Sequence, residues 1–230
     1  MTGGSGIGTP SVGSPYNLSD YRTSVLATLQ DTGVKYSTTT LDEALRRCLN
    51  DYTRAFPDLG TATLTLTSSG RTIALPTLTD LITILVCLHP YDSTLTDIYS
   101  RAREDFTITW VAGAPSLHFS GALLPKSGDQ LYLEYARPQL IKDLDLASAT
   151  TVRQDHKSIL VGGAAGYSAL IRAQSINEQW GGFPGQMPNL AQWGNSMLAQ
   201  FKQQLIIIRQ ELNLNPFTKT KWKLDKWDKD

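Results

Sequence analysis

Residues 40–67 read TLDEALRRCLNDYTRAFPDLGTATLTLT, and within them the hydrophobic period changes from helical to extended. Up to Phe56, apolar residues recur every three or four positions and charged residues fill the opposite face, as an amphipathic helix requires. After Pro57, alanine and leucine alternate with threonine, which is the pattern of a strand with one buried face. The stretch therefore predicts a helix that leads directly into a β unit.

The predicted helix begins with a capping pattern. Thr40 stands three residues before Glu43, a spacing at which the hydroxyl and the carboxylate each accept a hydrogen bond from a free backbone amide. A shorter helix is predicted upstream, starting at Leu18 and ending near Gly33. These two helices form the N-terminal part of the fold.

The chain downstream of Pro57 predicts five or six strands. Residues 62–66 and 71–75 flank Ser68-Ser69-Gly70 and predict a β-hairpin. The continuous apolar run 81–88 predicts a strand covered on both faces. Further alternating runs, separated by glycine and proline, lie at 106–111, 116–120 and 131–135.

The helical period returns at Gln154 and continues to Gly181-Gly182, and after a loop with Pro184 and Pro188 a last helix runs from Leu190 to about Leu212. The fold class is therefore α+β, a small helical bundle of two N-terminal and two C-terminal helices with an inserted antiparallel β unit. The predicted segments are a flexible Gly/Ser-rich arm at 1–17, the bundle at 18–57 and 152–212, the β unit and linker at 58–151, and a docking tail at 213–230.

Composition excludes several classes of protein. The 230 residues hold 21 Lys and Arg against 21 Asp and Glu, so the excess of positive charge that binds phosphates is missing. No apolar stretch approaches the roughly 20 residues of a membrane helix, and no signal peptide is expected. Cys48 and Cys87 each lie in an apolar stretch and are expected to be reduced core residues.

The sequence offers no catalytic or metal-binding pattern. His89, His118 and His156 lie in separate segments and have no second ligand three or four residues away. His118 is expected to be structural and His156 to face solvent. Neither a nucleophile elbow nor a P-loop is present. We therefore predict no catalytic residue, no metal, no cofactor and no enzyme activity.

Two other local features have structural interpretations. Gly162, Gly163 and Gly166 thin one face of the predicted third helix and indicate close packing of another helix, either from the same subunit or from a neighbouring one. Asp143 and Asp145, in the middle of the chain, are spaced as a candidate pair of catalytic carboxylates. They are instead expected to be solvated charges of an extended linker.

The C-terminal tail combines aromatic residues with alternating lysine and aspartate. Phe217, Trp222 and Trp227 stand in a segment that cannot build a core of its own, and aromatic side chains of this kind act as anchors in protein interfaces. The favoured interpretation is docking to a protein. The alternatives are a tail that folds onto its own subunit and stacking on single-stranded nucleic acid.

The order and spacing of four segments resemble those of the head-to-tail adaptor, or connector, proteins of tailed bacteriophages. The segments are residues 36–52, 62–76, 128–138 and 160–167. The resemblance implies a small helical bundle whose copies form a ring, commonly a dodecamer, beneath the portal. It also implies a mechanical function, since the ring joins the capsid to the tail and conducts DNA without reading its sequence.

The resemblance further implies the partners and the location. The partners are other copies of the chain, the portal protein and tail or neck proteins, and the location is the virion neck after assembly in the host cytoplasm, with no membrane involved. The tail would dock on the portal through Phe217, Lys219, Lys221, Trp222, Lys223 and Trp227. Two alternatives stay open: another neck or tail-completion protein, and a β-sheet ligand-binding module that uses Trp110, Tyr132 and Tyr135.

Overall fold

The structure, a computed structural model, describes residues 14–180 and 187–214, except residues 76, 79, 93, 95–101, 104 and 112. Within these ranges the chain forms four α-helices and two small antiparallel sheets, so the predicted α+β class is confirmed. The elements are α1 Leu18–Thr28, α2 Thr38–Ala55, β1 Asp58–Thr65, β2 Thr72–Ala74, β3 Thr83–Leu88, β4 Phe106–Val111, β5 Ala114–Phe119, β6 Gln130–Arg137, α3 Lys157–Trp180 and α4 Met187–Leu214.

The chain divides into two compact units, a helical unit formed by the segments up to Phe56 and from Leu140 onward, and a β unit at 57–139. Residues 140–151 fall in the predicted segment 58–151, the β unit and linker. They belong to the helical unit because Lys142 O accepts a hydrogen bond from Leu18 N at 3.0 Å and Thr150 Oγ1 donates one to Tyr16 O at 2.6 Å.

The apolar face of α2 forms the centre of the helical unit. Its side chains pack against α1, α3 and α4 in one continuous core that includes Tyr21, Leu45, Cys48, Tyr52, Leu160, Ala164, Phe201 and Leu205. Removing this much apolar surface from water is the main stabilising contribution to the unit. The helical periodicity that predicted α2, α3 and α4 is the signature of this core.

The helix starts differ from the predicted ones. The N-cap of α2 is Ser37, whose Oγ accepts a hydrogen bond from Thr40 N at 3.2 Å, so the capping box predicted at Thr40 and Glu43 is wrong. The earlier cap adds two exposed helical residues, Thr38 and Thr39, ahead of the buried face that starts at Leu41. A reciprocal capping box does occur at α1, where Asn17 and Asp20 accept from each other's backbone amides at 2.9 and 3.1 Å. Helix α1 ends at Thr28, short of the predicted end near Gly33.

The β unit contains two three-stranded antiparallel sheets, with strand orders β1-β6-β3 and β2-β5-β4. The predicted hairpin of residues 62–66 and 71–75 is wrong, because β1 pairs with β6 and β2 pairs with β5. The backbone past β1 continues to bond the segment before β6: Leu66 N donates to Asp129 O and Gly70 N to Pro125 O. The turn sequence at 68–70 thus separates two strands of different sheets.

Strand β3 is an edge strand, and the prediction that both its faces are covered is wrong. Thr83 and Leu85 are exposed while Ile84, Cys87 and Leu88 are buried. The other predicted strands are observed as β4, β5 and β6. The β unit has its own apolar core, to which Ile73, Leu117, Phe119, Leu131 and Leu133 contribute.

Helices α3 and α4 lie close to the positions that the helical spacing of apolar residues predicts. A 3-10 turn at Gln154–His156 leads into α3. Helix α4 begins at Met187, so Pro188, expected in a loop, occupies its first turn, where the missing backbone N–H would have no helical acceptor.

The segment of Asp143 and Asp145 is a tight turn and not the extended linker that was expected. Asp143, Asp145 and Leu146 have φ angles of 70°, 51° and 66°. Asp145 is also more than a solvated charge, because it accepts hydrogen bonds from the Arg46 guanidinium at 2.7 and 2.9 Å. This ion pair holds the pKa of Asp145 below its usual value.

Candidate assembly surfaces

The glycine face of α3 packs against helices of its own chain. A Cβ added at Gly163 would lie 2.7 Å from Cys48 Sγ on α2 and 2.8 Å from Phe201 Cγ on α4. At Gly166 it would lie 3.0 Å from Gly194 O, and the reverse approach, from Gly194 to Gly166 O, is also 3.0 Å. Glycine at these positions lets the helix backbones approach closely.

Gly162 differs from the other two predicted glycines. It is half-buried, and a Cβ there would meet Met197 Cε at 3.6 Å, an ordinary van der Waals contact. Sequence alone does not separate the three glycines, because their difference depends on contacts with residues of other helices. Any contact of this glycine face with a neighbouring subunit stays a prediction.

Buried and half-buried polar contacts join α2 to the start and middle of α3. The Cys48 thiol donates to Leu160 O at 3.2 Å, and the Tyr167 hydroxyl donates to Asp51 at 2.6 Å. Tyr52 OH lies 2.7 Å from His156 Nδ1. His156 is therefore buried and the expectation that it faces solvent is wrong, because the 3-10 turn before α3 directs its ring toward Tyr52 and Phe56.

These groups are structural in character. Burial raises the pKa of the Tyr52 and Tyr167 hydroxyls, and it raises the pKa of the Cys48 thiol well above its usual value. A thiol that stays protonated is a poor nucleophile and a poor metal ligand. Among the described residues, no group of three or more His, Cys, Asp or Glu could hold a metal ion.

The β unit contains a polar chain that the sequence analysis missed. His89 is buried and its Nε2 lies 3.0 Å from Asp129 Oδ2, while its Nδ1 lies 3.5 Å from an Arg103 nitrogen. Arg103 forms a bidentate pair with Asp105 and lies over the Phe119 ring at 5.2 Å. The hydrogen bond from Arg103 is the main reason that the pKa of Asp105 lies below its usual value.

This polar chain fastens a connecting segment of the β unit. Arg103 N donates to Cys87 O at 2.8 Å and the Arg103 side chain donates to Leu123 O at 3.0 Å. The contacts therefore hold Ala102, Arg103 and Asp105 against β3 and the loop after β5. The sequence indicates this polar chain only weakly. Arg103 and Asp105 are close in sequence, but His89 and Asp129 are distant from each other and no local pattern joins them.

The aromatic residues named for a ligand-binding sheet do not form a common surface. Tyr135 is buried in the β core, and Tyr132 stacks on Tyr91 with ring centroids 5.0 Å apart. Trp110 is exposed but lies on β4, which belongs to the other sheet. A carbohydrate platform needs coplanar exposed rings, so this arrangement disfavours that alternative.

The exposed side of α4 is poor in charge. Between residues 189 and 210 its exposed positions carry two charged side chains, Lys202 and Arg209. The apolar residues Trp193, Ile206 and Ile207 are exposed among them, at 37, 57 and 54%. The other exposed positions are mostly amides and hydroxyls, namely Asn189, Gln192, Asn195, Ser196, Gln200, Gln203, Gln204 and Gln210.

The exposed side of α2 is the opposite in character. It carries the ion pairs of Glu43 with Arg47, of Asp42 with Arg22, and of Arg46 with Asp145. Depletion of charged residues and exposure of aromatic and aliphatic side chains distinguish the centre of a protein interface from ordinary surface. The helical unit thus presents one solvent-like side and one interface-like side.

The residues predicted to bind the portal, Phe217, Lys219, Lys221, Trp222, Lys223 and Trp227, lie outside the described residues. Within the described part of the chain, no helix is long and apolar enough to cross a membrane.

Comparison with known proteins gives little further information. No family model matches the chain, and no curated protein matches it. One solved structure that is weakly similar is a chain from the neck of an empty GTA particle, computed with C6 symmetry. The two chains are 15% identical, the match covers 70% of this chain and 81% of that chain, and the TM-score is 0.32. At these values the match carries no functional assignment.

Proposed function

We propose that this chain is a structural head-to-tail adaptor of a tailed bacteriophage. Copies of it form a ring, commonly a dodecamer, beneath the portal, where the ring extends the DNA channel and joins the capsid to the tail. The chain acts in the virion neck after assembly in the host cytoplasm, and it catalyses no reaction.

The observation that carries the proposal is the place of the four resembling segments in the fold. Residues 36–52 span the cap and body of α2, residues 62–76 run from β1 through β2, residues 128–138 contain β6, and residues 160–167 carry the glycine face of α3. Each segment therefore contains a regular element of the helical bundle or of the inserted β unit, although residues 62–76 belong to two sheets and do not form the expected hairpin.

The surfaces support a role in assembly. The exposed side of α4, which is poor in charge and carries Trp193, Ile206 and Ile207, has the composition of an interface. The equal numbers of basic and acidic residues suit a channel that lets DNA pass, because tight phosphate binding needs an excess of lysine and arginine. Self-association and passage of DNA without sequence-specific binding are both parts of the proposal.

The tail is the proposed portal anchor. Phe217, Trp222 and Trp227 supply aromatic anchors, and Lys219, Lys221 and Lys223 between them supply positive charge. Tail and neck proteins are the partners proposed for the other end of the ring.

The test is the native mass of the chain mixed with the portal ring of the same phage. The full-length chain should add to the portal in a fixed stoichiometry, whereas a chain truncated after Leu212 or carrying Trp222→Ala and Trp227→Ala should not. Val34→Ala, which removes an exposed apolar side chain from the segment between α1 and α2, is the control for the loss of apolar surface and should still bind. If the full-length chain forms no complex with the portal, the adaptor proposal is wrong and another neck or tail-completion role takes its place.

A further inference from the structure

Within the part of the chain that the structure describes, the β unit leaves two long sheet edges without a partner strand. Strand β4 is the outer strand of the sheet β2-β5-β4, and β1 is the outer strand of the sheet β1-β6-β3. Among the described residues, no backbone hydrogen bond reaches the free side of either strand. A row of unpaired amides and carbonyls of this kind is a template for another strand.

The free edge of β4 lacks the usual protection. Its six residues, 106–111, read FTITWV, with no charged residue and no proline. The side chains of Thr107, Thr109, Trp110 and Val111 are exposed. Proteins that stay monomeric protect such edges with lysine, proline, bulges or short strands, so β4 has the character of an edge that is covered in the working protein.

Strand β1 is the second unprotected edge. Residues 59–65 read LGTATLT and are uncharged, and the one charge of the strand, Asp58, is paired with Arg137 at 2.7 Å. Leu59 is exposed, as are the threonines at 61, 63 and 65. Its eight residues can accommodate all six of β4.

The two other edges of the unit are protected. Strand β2 has only three residues. Strand β3 has an irregularity between Ile84 and Val86, and its end is covered, since Leu88 bridges to Ala102 and Arg103 N donates to Cys87 O. This contrast within one unit singles out β1 and β4.

We infer that β1 of one copy pairs with β4 of the next copy, so that strand addition joins neighbouring subunits of the ring. The partner strand that the molecule itself indicates belongs to a second copy of the chain. Each chain carries both free edges, which are similar in length and have no unpaired charges that would repel each other. Two different edges meeting make a heterologous contact, which repeats from subunit to subunit and gives a ring when the rotation between neighbours closes. The inference rests on the proposed adaptor function and specifies its subunit interface.

Pairing of β4 with itself is the competing arrangement. It would join two copies about a twofold axis and stop at a dimer, with β1 still uncovered. The heterologous pairing instead covers both edges of every subunit and aligns exposed threonines of the two strands, a cross-strand combination that stabilises sheets.

Cysteine cross-linking separates the two arrangements in the full-length chain. Chains with Thr63→Cys are mixed at high concentration with chains carrying Thr107→Cys and exposed to mild oxidation, since directly opposed cysteines of adjacent strands lie close enough to form a disulfide. Thr61→Cys and Thr65→Cys scan the other registers. The native thiols are buried, and Thr23→Cys, an exposed position on α1, is the control partner.

The expected result is a mixed disulfide dimer for at least one β1 position with Thr107→Cys, in at least about tenfold excess over the control pair, because pairing of the edges fixes the register. Dimers of Thr107→Cys with itself in preference to the mixed dimer would overturn the inference in favour of the twofold arrangement. Yields no higher than the control at all three β1 positions would overturn it as well.

The outcome is independent of the portal experiment. A chain that adds to the portal as a ring but gives no mixed cross-link retains the adaptor function and refutes the strand pairing. A chain that cross-links between β1 and β4 but never binds the portal retains the pairing and refutes the adaptor function. As a second measurement, Thr63→Lys and Thr107→Lys should each abolish the ring on the portal, whereas Thr23→Lys should leave it intact.

Discussion

Replacing Gly163 by alanine should destabilise the helical unit, and the structure gives the size of the effect. The new Cβ would lie 2.7 Å from Cys48 Sγ and 2.8 Å from Phe201 Cγ, and both of these residues are buried. Neither atom is at the end of a long flexible side chain, so the helices must shift. Overpacking of this kind costs up to about 3 kcal/mol, against which alanine gains roughly 1 kcal/mol of helix propensity over glycine.

The expected net loss is therefore about 2 kcal/mol in the free energy of unfolding, measured by urea denaturation. Gly162→Ala is the matched control one residue away. Its Cβ meets only Met197 Cε at 3.6 Å, so the propensity gain should dominate and stabilise the protein by roughly 0.5–1 kcal/mol. The prediction is therefore that alanine lowers the free energy of unfolding at position 163 and raises it at position 162.

A double variant locates the clash. Cys48→Ala removes the Sγ that the new methyl group would meet, so Cys48→Ala with Gly163→Ala should lose less stability than the sum of the single losses. If Gly163→Ala unfolds at the same urea concentration as Gly162→Ala, the close approach of α3 to α2 and α4 is not as described, and the glycine face would be free for a neighbouring subunit.

Three further predictions concern the buried polar groups. Tyr52→Phe removes the hydroxyl that lies 2.7 Å from His156 Nδ1 and should lower the free energy of unfolding by about 1–3 kcal/mol in urea denaturation. Arg103 lowers the pKa of Asp105 in the folded state. The stabilisation from this pair is therefore complete above the unfolded pKa of about 3.9 and is lost as the pH falls through the lower folded pKa. The difference in urea midpoint between wild type and Asp105→Asn should accordingly shrink below about pH 4. Burial raises the pKa of Cys87 to about 12, so the folded protein should leave this thiol unmodified by a thiol reagent at pH 8, and rapid modification without urea would contradict its burial.

The sequence predicted the elements better than their partners. Helices α2, α3 and α4 follow from apolar periodicity because each buries one stripe in a shared core. The hairpin prediction failed because a turn sequence reports only local geometry, and Gly70 in the predicted turn bonds to Pro125 in a distant loop. Pairing of β1 with β6 depends on residues about 70 positions away, which no local pattern encodes.

The assembly surfaces were only partly predictable for a related reason. The glycine face of α3 is visible as a sequence pattern, but the distinction between Gly162 and Gly163 depends on Cys48, a residue of another helix. The free edges of β1 and β4 could not be foreseen at all. Whether a strand lies at an edge is a property of the sheet order, and the strand sequence alone is equally compatible with a central position.

The proposed strand pairing also sets how strongly free subunits should associate. Six residues of β4 on β1 form about six backbone hydrogen bonds, each contributing a net 0.5–1.5 kcal/mol, so the pairing gains roughly 3–9 kcal/mol. Bringing two proteins together costs an estimated 4–15 kcal/mol or so in lost freedom. The two quantities are similar, so the free chain should be monomeric or associate weakly.

A ring template would reverse this balance. Copies anchored on the portal by their tails are held side by side, and such tethering raises the effective concentration of one edge near the next to about the millimolar range. The association cost is then largely met by the anchor, and the same six residues of β4 suffice to close the interface. The mixed cross-link between β1 and β4 should therefore form at far lower protein concentration when the portal is present. If its yield is the same with and without the portal, the edges do not assemble on a template.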